Sequence, residues 1–437
     1  MAAAGTVPPG ARPALEKTYV RDLPKRLGQR VALYGWFNGM HRAGGGLVLV
    51  IRDRTGTVPA VYRGTAAAAG VDGLSPESAV RVVGTVRTGA GARFGAIEVD
   101  AESIDVLALA ESPLPRDGQY ESSAPIERRH LDLRGREQFL VFAVQTTLEA
   151  AVRDFLLGSD FVEIHTPKVT PAGCGPGDPL VGVSFDGQSA ALSPSPQAYL
   201  QLAMAAGFDR VFEVGPAFPA GDAGQPPAES TRLDLEVSWI DSPAELMSLL
   251  EDLLRRALFA VREVHGVDIE GCFGIPVELP EGTIPRLPLA RALELVGRAS
   301  RPHGRLSAGD EQALCRYADE RYGHGYIFLT GYATEWPFSA MRDEPGGLRG
   351  FVLLGHGLEL AAGAQREHRY GPLRAQAAAA TPGEGSPPDW YYEMFRHGCP
   401  PHGGLGIGLN RLLMGLLARP SIRDTTFASC GPGRSQP

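Results

Sequence analysis

Residues 400–411 read PPHGGLGIGLNR, an apolar stretch in which Gly403, Gly404, Gly406 and Gly408 interrupt larger side chains before Arg411. This pattern predicts a buried strand that leads directly into a helix. Glycines let a neighbouring strand or a flat ligand approach the backbone closely. Arg411, at the start of the helix, could hold a phosphate through two parallel hydrogen bonds. The stretch therefore predicts either close packing of a helix on a sheet or one wall of a ligand site.

Length and composition restrict the class of protein. A chain of 437 residues is too long for one compact core, which predicts two or three domains. With 43% hydrophobic and 21% charged residues, the composition is that of a globular protein. No run of about 18 apolar residues occurs, which predicts no membrane span. Residues 1–18 lack a signal-peptide pattern and are predicted to be a disordered tail. Five scattered cysteines without CxxC spacing argue against a disulfide framework or a zinc site and predict a cytoplasmic protein.

Residues 19–110 have the pattern of a small β-barrel. Five short candidate strands, among them LVLVIRDR and AVRVVGTVR, are separated by turn residues such as Gly44-Gly45-Gly46. Five strands at this spacing are typical of an OB-type barrel, which often binds single-stranded nucleic acid. The alternative is a barrel used only for packing, and the strand pattern leaves both open.

Residues 111–135, rich in proline, glycine and serine, are predicted to be a linker. Beyond it, Ser195-Pro196 is predicted to open a helix with the serine as cap and the proline in the first helical position. Ser242 and Glu245 predict a capping box. Strands are predicted at 161–165, 210–216, 232–239, 327–332, 350–361 and 405–409, and helices at 137–157, 243–265, 364–377, 388–397 and 409–418. This irregular interleaving predicts an α+β fold for residues 136–437.

Five sequence segments, taken in their order along the chain, resemble the signatures of a known family. They read HLDLRGREQF, DFVEIHTPKV, SPSPQAYLQLAMAAGFDRVFEVGPAF, LELAAGAQREHR and PPHGGLGIGLNR. Behind an OB-like barrel, they resemble class II aminoacyl-tRNA synthetases, specifically the archaeal-type aspartyl/asparaginyl subgroup, over about residues 18–425. The resemblance implies an anticodon-binding OB domain and a catalytic domain with an antiparallel sheet flanked by helices. It also implies ATP, Mg²⁺, a tRNA partner and a homodimer with Pro167 in its interface.

The resemblance gives several retained residues a role at the nucleotide. Arg411 matches the arginine on the ATP phosphate tail, and Glu359 matches a carboxylate that holds the magnesium–ATP complex. Gly406 and Gly408 match the glycines of the third signature, against which the nucleotide lies. Glu229 is the one residue retained from the loop of the second signature.

Other retained residues match the amino-acid pocket. Ser195 and Gln197 match the SPQ turn beside this pocket, and Arg366 matches the arginine that reads an aspartate side-chain carboxylate. Three acidic residues match the frame of the second signature: Glu213, Asp234 and Glu236. A buried arginine needs a dedicated anion, which favours a ligand role for Arg366 and Arg411. For the acidic residues, a salt-bridged framework role is the alternative.

The loop of the second signature departs from the family. Pro219 stands where similar enzymes place an arginine on the α-phosphate, and Gly221 stands where they have a glutamate. Gln225-Pro226 replaces an Arg-His pair. Ser230 or Thr231 replaces the aromatic residue that stacks on adenine. Removal of a single group that stabilises the transition-state charge lowers a rate by about 10²–10³, so these replacements predict slow adenylation.

Further departures lie at the metal, in the pocket and in the barrel. The aspartate and serine expected beside Glu359 are Val352 and Ala362. In the amino-acid pocket, a glutamate and a glutamine that receive the α-ammonium align with Gly175 and Pro194, and a lysine aligns with Leu200. In the barrel, an anticodon-reading glutamine and an aromatic residue align with Pro59 and Val48.

Three functions remain open from the sequence. The first is an ordinary aspartate or asparagine tRNA ligase. The second is a repurposed ligase that acts on another small amino or carboxylic acid in specialised metabolism. The third is a non-catalytic synthetase-like binding or scaffold dimer.

Overall fold

A computed structural model describes the chain in eleven segments. These are residues 15–43, 46–63, 73–89, 96–111, 129–171, 181–218, 229–298, 306–332, 337–343, 347–379 and 389–428. The chain divides into two compact units, Met1–Pro125 with Arg134–Arg136 and Ile126–Leu133 with Glu137–Pro437. Most of the predicted tail and of the predicted linker lies outside the described residues, although Lys17–Thr18 of the tail form a strand and Arg129–Asp132 of the linker form a helix, so those boundaries stay predictions.

The N-terminal unit contains a closed five-stranded barrel. The strands of this unit are β1 (Lys17–Thr18), β2 (Arg30–Ala43), β3 (Gly46–Asp53), β4 (Gly56–Tyr62), β5 (Ala79–Thr88) and β6 (Ile97–Ala108), and the last five form the barrel. The order β2-β3-β4-β6-β5 closes because β5 also pairs with β2, and β1 is added outside β2. Alternating residues such as Leu33, Ile51 and Val82 fill its core, as period-2 strands around one interior require. The predicted barrel is confirmed.

The second unit is built on an eight-stranded sheet. Its order is β13-β14-β17-β18-β19-β12-β11-β7, and the pairings are antiparallel except β13–β14 and β11–β7 at the two edges. The strands are β7 (Val162–Glu163), β11 (Arg210–Ala217), β12 (Ser230–Ser238), β13 (Arg286–Pro288), β14 (Ile327–Thr330), β17 (Gly350–Gly355), β18 (Leu358–Gln365) and β19 (His402–Gly408). The remaining strands form two small sheets: β8 (Val169–Pro171), β9 (Gly182–Phe185) and β10 (Gln188–Leu192) in one, β15 (Arg342–Asp343) and β16 (Gly347–Leu348) in the other.

Helices cover the large sheet. They are α1 (Arg129–Asp132), α2 (Arg136–Leu157), α3 (Gln197–Ala205), α4 (Pro243–Phe273), α5 (Leu289–Leu295), α6 (Ala308–Tyr322), α7 (Tyr370–Ala379), α8 (Asp389–Phe395) and α9 (Leu409–Leu416), with 3₁₀ turns at Pro337–Ser339 and Ile422–Thr425. A further 3₁₀ turn, Val20–Arg26, belongs to the N-terminal unit. The largest core contains Val144 and Leu148 of α2, Leu250 and Leu254 of α4 and Phe212 of the sheet. The predicted α+β fold is confirmed.

Several predicted elements differ from the structure. Residues 350–361 form a hairpin rather than one strand, because His356 and Gly357 both adopt positive φ and close a tight turn. Pro196 is the N-cap of α3 rather than its first residue. The Ser242 capping box is present, but α4 continues past residue 265 to a left-handed Gly274. Residues 364–369 precede α7 and are not helical. Of the predicted strand 161–165, only β7 forms.

Across the described segments, no helix combines the length and the apolar character needed to cross a membrane.

Candidate active site

A small polar cavity lies over the middle of the large sheet. It has a volume of about 30 Å³ and is lined by residues in or next to α3, β12, β18 and β19, among them Ser195, Gln197 and Arg366. The structure therefore brings together the residues that were predicted to surround an amino acid. Gly406 and Asp234 also line the cavity.

One face of β12 supplies the charged groups of the site. Alternate residues of a strand point to the same face, and in β12 these are Arg232, Asp234 and Glu236. Their partners across the ladder are, in the same order, Gly408, Gly406 and Gly404. A Cβ at Gly404 would lie 2.0 Å from Oε2 of Glu236, and a Cβ at Gly406 would lie 2.3 Å from Nη2 of Arg232. The glycines of PPHGGLGIGLNR thus make room for the charged side chains of the neighbouring strand.

Arg366 and Glu236 form a buried ion pair at one end of this face. Nε of Arg366 donates to Oε1 of Glu236 at 3.1 Å, and the two side chains are 6% and 1% exposed. Burial raises the pKa of Glu236, and the opposite charge of Arg366 counteracts this shift. The pair holds the guanidinium at the cavity through its Nε atom.

Arg232 and Asp234 form a second ion pair on the same face. Nη2 of Arg232 lies 3.1 Å from Oδ1 of Asp234, with side-chain exposures of 17% and 9%. The cavity therefore contains two cations and two carboxylates, arranged as two neighbouring pairs. Arg232 was not among the residues predicted for the site. Its spacing of two from Asp234, opposite a glycine strand, was the signal that could have found it.

A buried hydrogen-bond network holds Gln197 beside the cavity. Nε2 of Gln197 donates to Oγ of Ser339 at 3.0 Å and to Oε1 of Gln201 at 3.3 Å. Gln201 also bonds to Nε2 of His402 at 2.9 Å and accepts from the hydroxyl of Tyr391 at 2.9 Å. This network lies behind the predicted site residues, and Gln197 is its one member that was predicted.

His402 is neutral in this network. Its Nδ1 lies 2.8 Å from the carbonyl oxygen of Pro400, which makes Nδ1 the donor and Nε2 the acceptor from Gln201. Complete burial lowers the pKa of His402 to about 3. The backbone carbonyl of the same residue accepts from the amide of Arg366 at 2.9 Å, so the network also positions the arginine.

Glu213 has a framework role in the structure. Its carboxylate accepts from the amide and hydroxyl of Thr166 at 3.0 and 2.7 Å and pairs with Nζ of Lys168 at 2.9 Å. These residues flank Pro167, which is exposed. Glu213 therefore fixes the segment around Pro167 rather than the cavity.

Two of the predicted nucleotide residues, Arg411 and Glu359, meet at the start of α9. Nη1 of Arg411 lies 3.4 Å from the backbone carbonyl oxygen of Glu359. Arg411 is exposed, so the prediction that it is buried is wrong, whereas Arg366 is buried. Arg411 and Glu359 thus occupy one place in the fold, at the end of β18 opposite to Arg366. Glu229 is exposed at the start of β12.

The two positions that replace the expected aspartate and serine are apolar and face each other. Val352 of β17 pairs directly with Ala362 of β18. Val352 is 1% exposed and packs with Leu329 and Leu354 in a second core. Within the described ranges, no group of three or more His, Cys, Asp or Glu is arranged to hold a metal. Magnesium is often held by one or two carboxylates together with substrate phosphates, so Glu359 fits as a single protein ligand for it.

The remaining replaced positions fall into two groups. Leu200 lines the cavity and is buried, Pro194 is buried before α3, and Pro59 and Val48 are buried in the barrel. The others lie outside the described residues: Pro219, Gly221, Gln225, Pro226 and Gly175.

The chain combines two recognisable parts. The N-terminal unit is a five-stranded barrel, and the second unit has a mostly antiparallel sheet whose glycine-rich strand β19 leads directly into α9. Residues 121–428 match the family "tRNA synthetases class II (D, K and N)", and residues 31–107 match "OB-fold nucleic acid binding domain". The chain therefore belongs to the class II tRNA synthetases, in the branch that contains the aspartate and asparagine tRNA ligases.

Relatives in this branch match nearly the whole chain. An aspartate–tRNA(Asp/Asn) ligase of Methanopyrus kandleri is 35% identical over 434 residues, which cover 94% of this chain and 97% of the relative. An aspartate–tRNA(Asp) ligase of Thermococcus kodakarensis is 34% identical over 430 residues, with 93% and 96% covered. The structure of an asparaginyl-tRNA synthetase from Pyrococcus horikoshii with asparaginyl-adenylate has a TM-score of 0.85 at 27% identity and covers 97% of this chain and all of that one.

Proposed function

We propose that this chain binds aspartate in the cavity around Arg366 and activates it with ATP, at a rate well below that of an unaltered active site. The observation that carries the proposal is the buried Arg366–Glu236 pair, which presents a guanidinium to a small polar cavity. A planar guanidinium matches a carboxylate through two parallel hydrogen bonds. The aspartate ligases among the relatives support aspartate as the ligand.

In the proposed reaction, aspartate bound near Arg366 reacts with ATP bound near Arg411 and Glu359. An oxygen of the aspartate α-carboxylate attacks the α-phosphorus of ATP. The bond from this phosphorus to the bridging oxygen breaks, and pyrophosphate leaves with the electron pair. Arg411 holds the leaving phosphates, and Glu359 beside it holds the magnesium–ATP complex. Magnesium, when bound, neutralises charge on the phosphates. Transfer of the aspartyl group to tRNA follows, with the barrel as the tRNA-binding part.

The rate is low because the nucleotide end has lost polar groups. With Val352 and Ala362 beside it, Glu359 is the single carboxylate that the described residues contribute to this proposed metal site. We propose that Pro219, Gly221 and Pro226 deprive the neighbouring loop of its cations. Each lost contact to a developing charge lowers a rate by about 10²–10³.

ATP–pyrophosphate exchange tests this function. Exchange should rise above background with aspartate and remain at background with asparagine, because Arg366 favours an anionic side chain. Arg366→Lys should lose most of this exchange, since a single ammonium group does not make the two parallel hydrogen bonds of a planar guanidinium. Exchange at background level with both amino acids would contradict activation. Calorimetry with aspartate alone then decides whether the pocket binds the ligand without activating it.

A non-catalytic or repurposed protein is the second candidate function. The apolar Val352–Ala362 pair and Leu200 in the cavity favour it, because they remove polar contacts without disturbing the packing. Binding of ATP–Mg²⁺ at physiological concentration in calorimetry would contradict a silent scaffold. ATP-dependent activation of a different small acid, with none of aspartate, would establish a repurposed ligase.

The assembly follows from the same proposal. We propose a homodimer in which the exposed Pro167 segment, fixed by Glu213, lies in the interface. Sedimentation equilibrium should give twice the mass of 46.5 kDa, and a monomer at micromolar concentration would contradict this arrangement. The replaced Pro59 and Val48 are expected to weaken anticodon recognition rather than tRNA binding as a whole.

A further inference from the structure

A second cavity, here called the α6 cavity, lies between α6 and the turn that joins β17 to β18. Its volume is about 300 Å³, which is at the lower end of the range for small-molecule sites, about 300–1,000 Å³. Among the described residues, it shares no lining residue with the cavity around Arg366. The α6 cavity is therefore a separate place with room for a small ligand.

The floor of the α6 cavity is buried and uncharged. It is formed by Tyr326 and Cys315, which are 1% and 6% exposed. The hydroxyl oxygen of Tyr326 lies 2.8 Å from Nε2 of His356 in the turn. Burial raises the pKa of Tyr326 above its usual range and raises the pKa of Cys315 to about 11, so both groups keep their protons at pH 7. The floor therefore offers hydrogen bonds without adding a charge.

The rim of the α6 cavity carries charges of both signs. Gln312, Arg316 and Asp319 follow one another at intervals of four and three residues along α6, so they lie on one face of the helix. Glu278, in the segment after α4, is close enough to Tyr326 to contribute to its raised pKa. All four rim side chains are exposed, and in the described part of the chain none of them forms a hydrogen bond or an ion pair. Their polar groups are therefore available to a ligand.

This arrangement favours a ligand that has both an anionic and a cationic group. A simple anion on Arg316 would lie near the carboxylates of Asp319 and Glu278, and a simple cation on these carboxylates would lie near Arg316. The guanidinium can hold a carboxylate through two parallel hydrogen bonds, and Asp319 can accept from an ammonium group. Residues three apart on a helix have Cβ atoms about 5–6 Å from each other. The two side chains can thus contact the neighbouring carboxylate and ammonium of one α-amino acid.

We propose that the α6 cavity binds a zwitterionic α-amino acid. Arg316 holds the α-carboxylate, and Asp319 and Glu278 receive the α-ammonium. The side chain of the amino acid lies over the floor, where the hydroxyl of Tyr326 hydrogen-bonds to a polar group on it. This site goes beyond the proposed function, because it uses none of the residues that are proposed to hold aspartate or ATP.

The α6 cavity lies next to a turn that is connected to the candidate active site. The turn at His356 leads directly into β18, which contains Glu359. His356 also packs on α9, since a Cβ at Gly415 would lie 2.8 Å from Cβ of His356. Gly415 is about one helical turn after Arg411. We therefore expect an amino acid in the α6 cavity to change the affinity for ATP–Mg²⁺, a consequence that rests on the proposed function.

Calorimetry on the full-length protein tests the site with L-glutamine, whose side-chain amide can donate to and accept from the floor. Two analogues keep this amide: glutaramic acid lacks the α-ammonium, and 4-aminobutanamide lacks the α-carboxylate. The variants are Arg316→Gln and Asp319→Asn. Arg321→Gln and Glu320→Gln, at exposed positions of α6 outside the cavity, are the matched controls. Arg366→Lys separates this site from the active site, and thermal unfolding checks that each variant is folded.

Both analogues should bind the wild type at least about tenfold more weakly than L-glutamine, which corresponds to the loss of one charge-assisted contact. Arg316→Gln should weaken L-glutamine binding by a similar factor without weakening the binding of 4-aminobutanamide, which has no carboxylate to lose. Asp319→Asn should weaken L-glutamine binding without weakening that of glutaramic acid. The two controls and Arg366→Lys should match the wild type.

Three outcomes would overturn the inference. The first is that neither L-glutamine nor any other standard amino acid, screened by thermal shift, binds outside the active site. The second is that Arg316→Gln and Asp319→Asn bind L-glutamine as tightly as the wild type, which would make the rim charges a solvated surface. The third is that Arg366→Lys alone abolishes binding, which would place the amino acid in the active site.

The affinity for ATP–Mg²⁺ tests the regulatory consequence. Saturating L-glutamine should change the Kd for ATP–Mg²⁺ by about fivefold or more in the wild type and leave it unchanged in Arg316→Gln. The same Kd with and without L-glutamine in the wild type would overturn this regulation. If the wild type does not bind ATP–Mg²⁺, the proposed function fails, and the amino-acid titrations alone decide whether the α6 cavity is a binding site.

Discussion

One row of paired residues crosses the large sheet and changes character at its middle. The row consists of Glu213, Asp234, Gly406, Ala362 and Val352, each opposite the next on a neighbouring strand. On the β11–β12 side it carries two carboxylates. On the β18–β17 side it carries an alanine and a valine. The two halves have the same backbone geometry and opposite chemistry.

Each half is internally consistent. On the charged side, every carboxylate has its own cation: Lys168 for Glu213, Arg232 for Asp234 and Arg366 for Glu236. On the apolar side, Val352 is buried in a packed core, and Ala362 opposite it is half-buried and also lines the cavity. A single polar residue facing an apolar one there would lack a hydrogen-bond partner. The difference indicates that ligand-binding capacity is concentrated on the charged side, and that the apolar side now contributes mainly packing.

The largest expected effect comes from breaking the charged half. Arg366→Met should lower the free energy of unfolding by about 3–5 kcal/mol, because it leaves Glu236 buried without a cation. Urea unfolding at pH 7 measures this loss. In Arg366→Met/Glu236→Gln, which removes both charges, much of the lost stability should return. Aspartate binding should be absent in both variants.

The loss in Arg366→Met should also depend on pH. Burial raises the pKa of Glu236 above that of an unfolded glutamate, so the folded state binds the extra proton more tightly. Stability then increases as the pH falls through the folded pKa. The difference between wild type and variant should therefore shrink at low pH. A difference that does not change with pH would contradict an unpaired Glu236 as its cause.

A charge placed in the apolar half provides the converse test. Val352→Asp at pH 7 should destabilise the protein by about 4 kcal/mol, because a buried carboxyl with its pKa raised by about 3 units has to bind a proton or remain charged. Val352→Ala, which removes packing without adding a polar group, is the matched control and should lose less. Equal losses in the two variants would mean that the site admits water and is not a sealed core. Added ATP–Mg²⁺ should narrow the gap if the introduced carboxylate can join Glu359 at the metal.

The sequence predicted the features that depend on local patterns and not those that depend on strand register or on backbone angles. The alternation of apolar residues and the turn residues predicted the barrel. The five ordered segments predicted the catalytic domain and the cavity residues Ser195, Gln197 and Arg366. They could not reveal that Arg232 enters the cavity, because its direction depends on the strand register with Gly408. The hairpin at His356-Gly357 was missed for a related reason. Apolar residues on both sides of a two-residue turn read as one strand when the positive φ values are unknown.

His402, in the buried hydrogen-bond network next to the charged half, should make the free energy of unfolding depend on pH. His402 is neutral with a pKa of about 3 when folded, whereas an unfolded histidine has a pKa of about 6.5. The unfolded state therefore binds more protons between these values, and stability should fall by about 1.4 kcal/mol per pH unit as the pH drops below 6.5. Urea unfolding of His402→Gln, whose amide can both donate and accept, should show a flatter pH dependence. His397→Gln, at an exposed position, should keep the wild-type slope. Equal slopes in all three proteins would contradict a neutral buried His402.

The glycines of β19 offer the finest comparison, because three equivalent positions face the three charged residues of β12. A Cβ at Gly404 would meet the carbonyl oxygen of Leu235 at 2.3 Å as well as Glu236, and a backbone atom cannot easily move. At Gly406 the nearest atom is the end of the Arg232 side chain, which can swing aside. At Gly408 the nearest contact is 3.6 Å, an ordinary van der Waals distance.

Alanine at these positions should therefore separate stability from activation. Gly404→Ala should destabilise the protein by about 1–3 kcal/mol through overpacking, Gly406→Ala by less, and Gly408→Ala the least. Exchange activity should follow a different order, because Gly406→Ala displaces Arg232 from the cavity without disturbing Arg366. A Gly406→Ala variant that loses exchange while keeping its aspartate affinity and most of its unfolding free energy would link the glycine spacing directly to the position of Arg232. Loss of exchange in strict proportion to stability across the three variants would instead assign the glycines to strand packing alone.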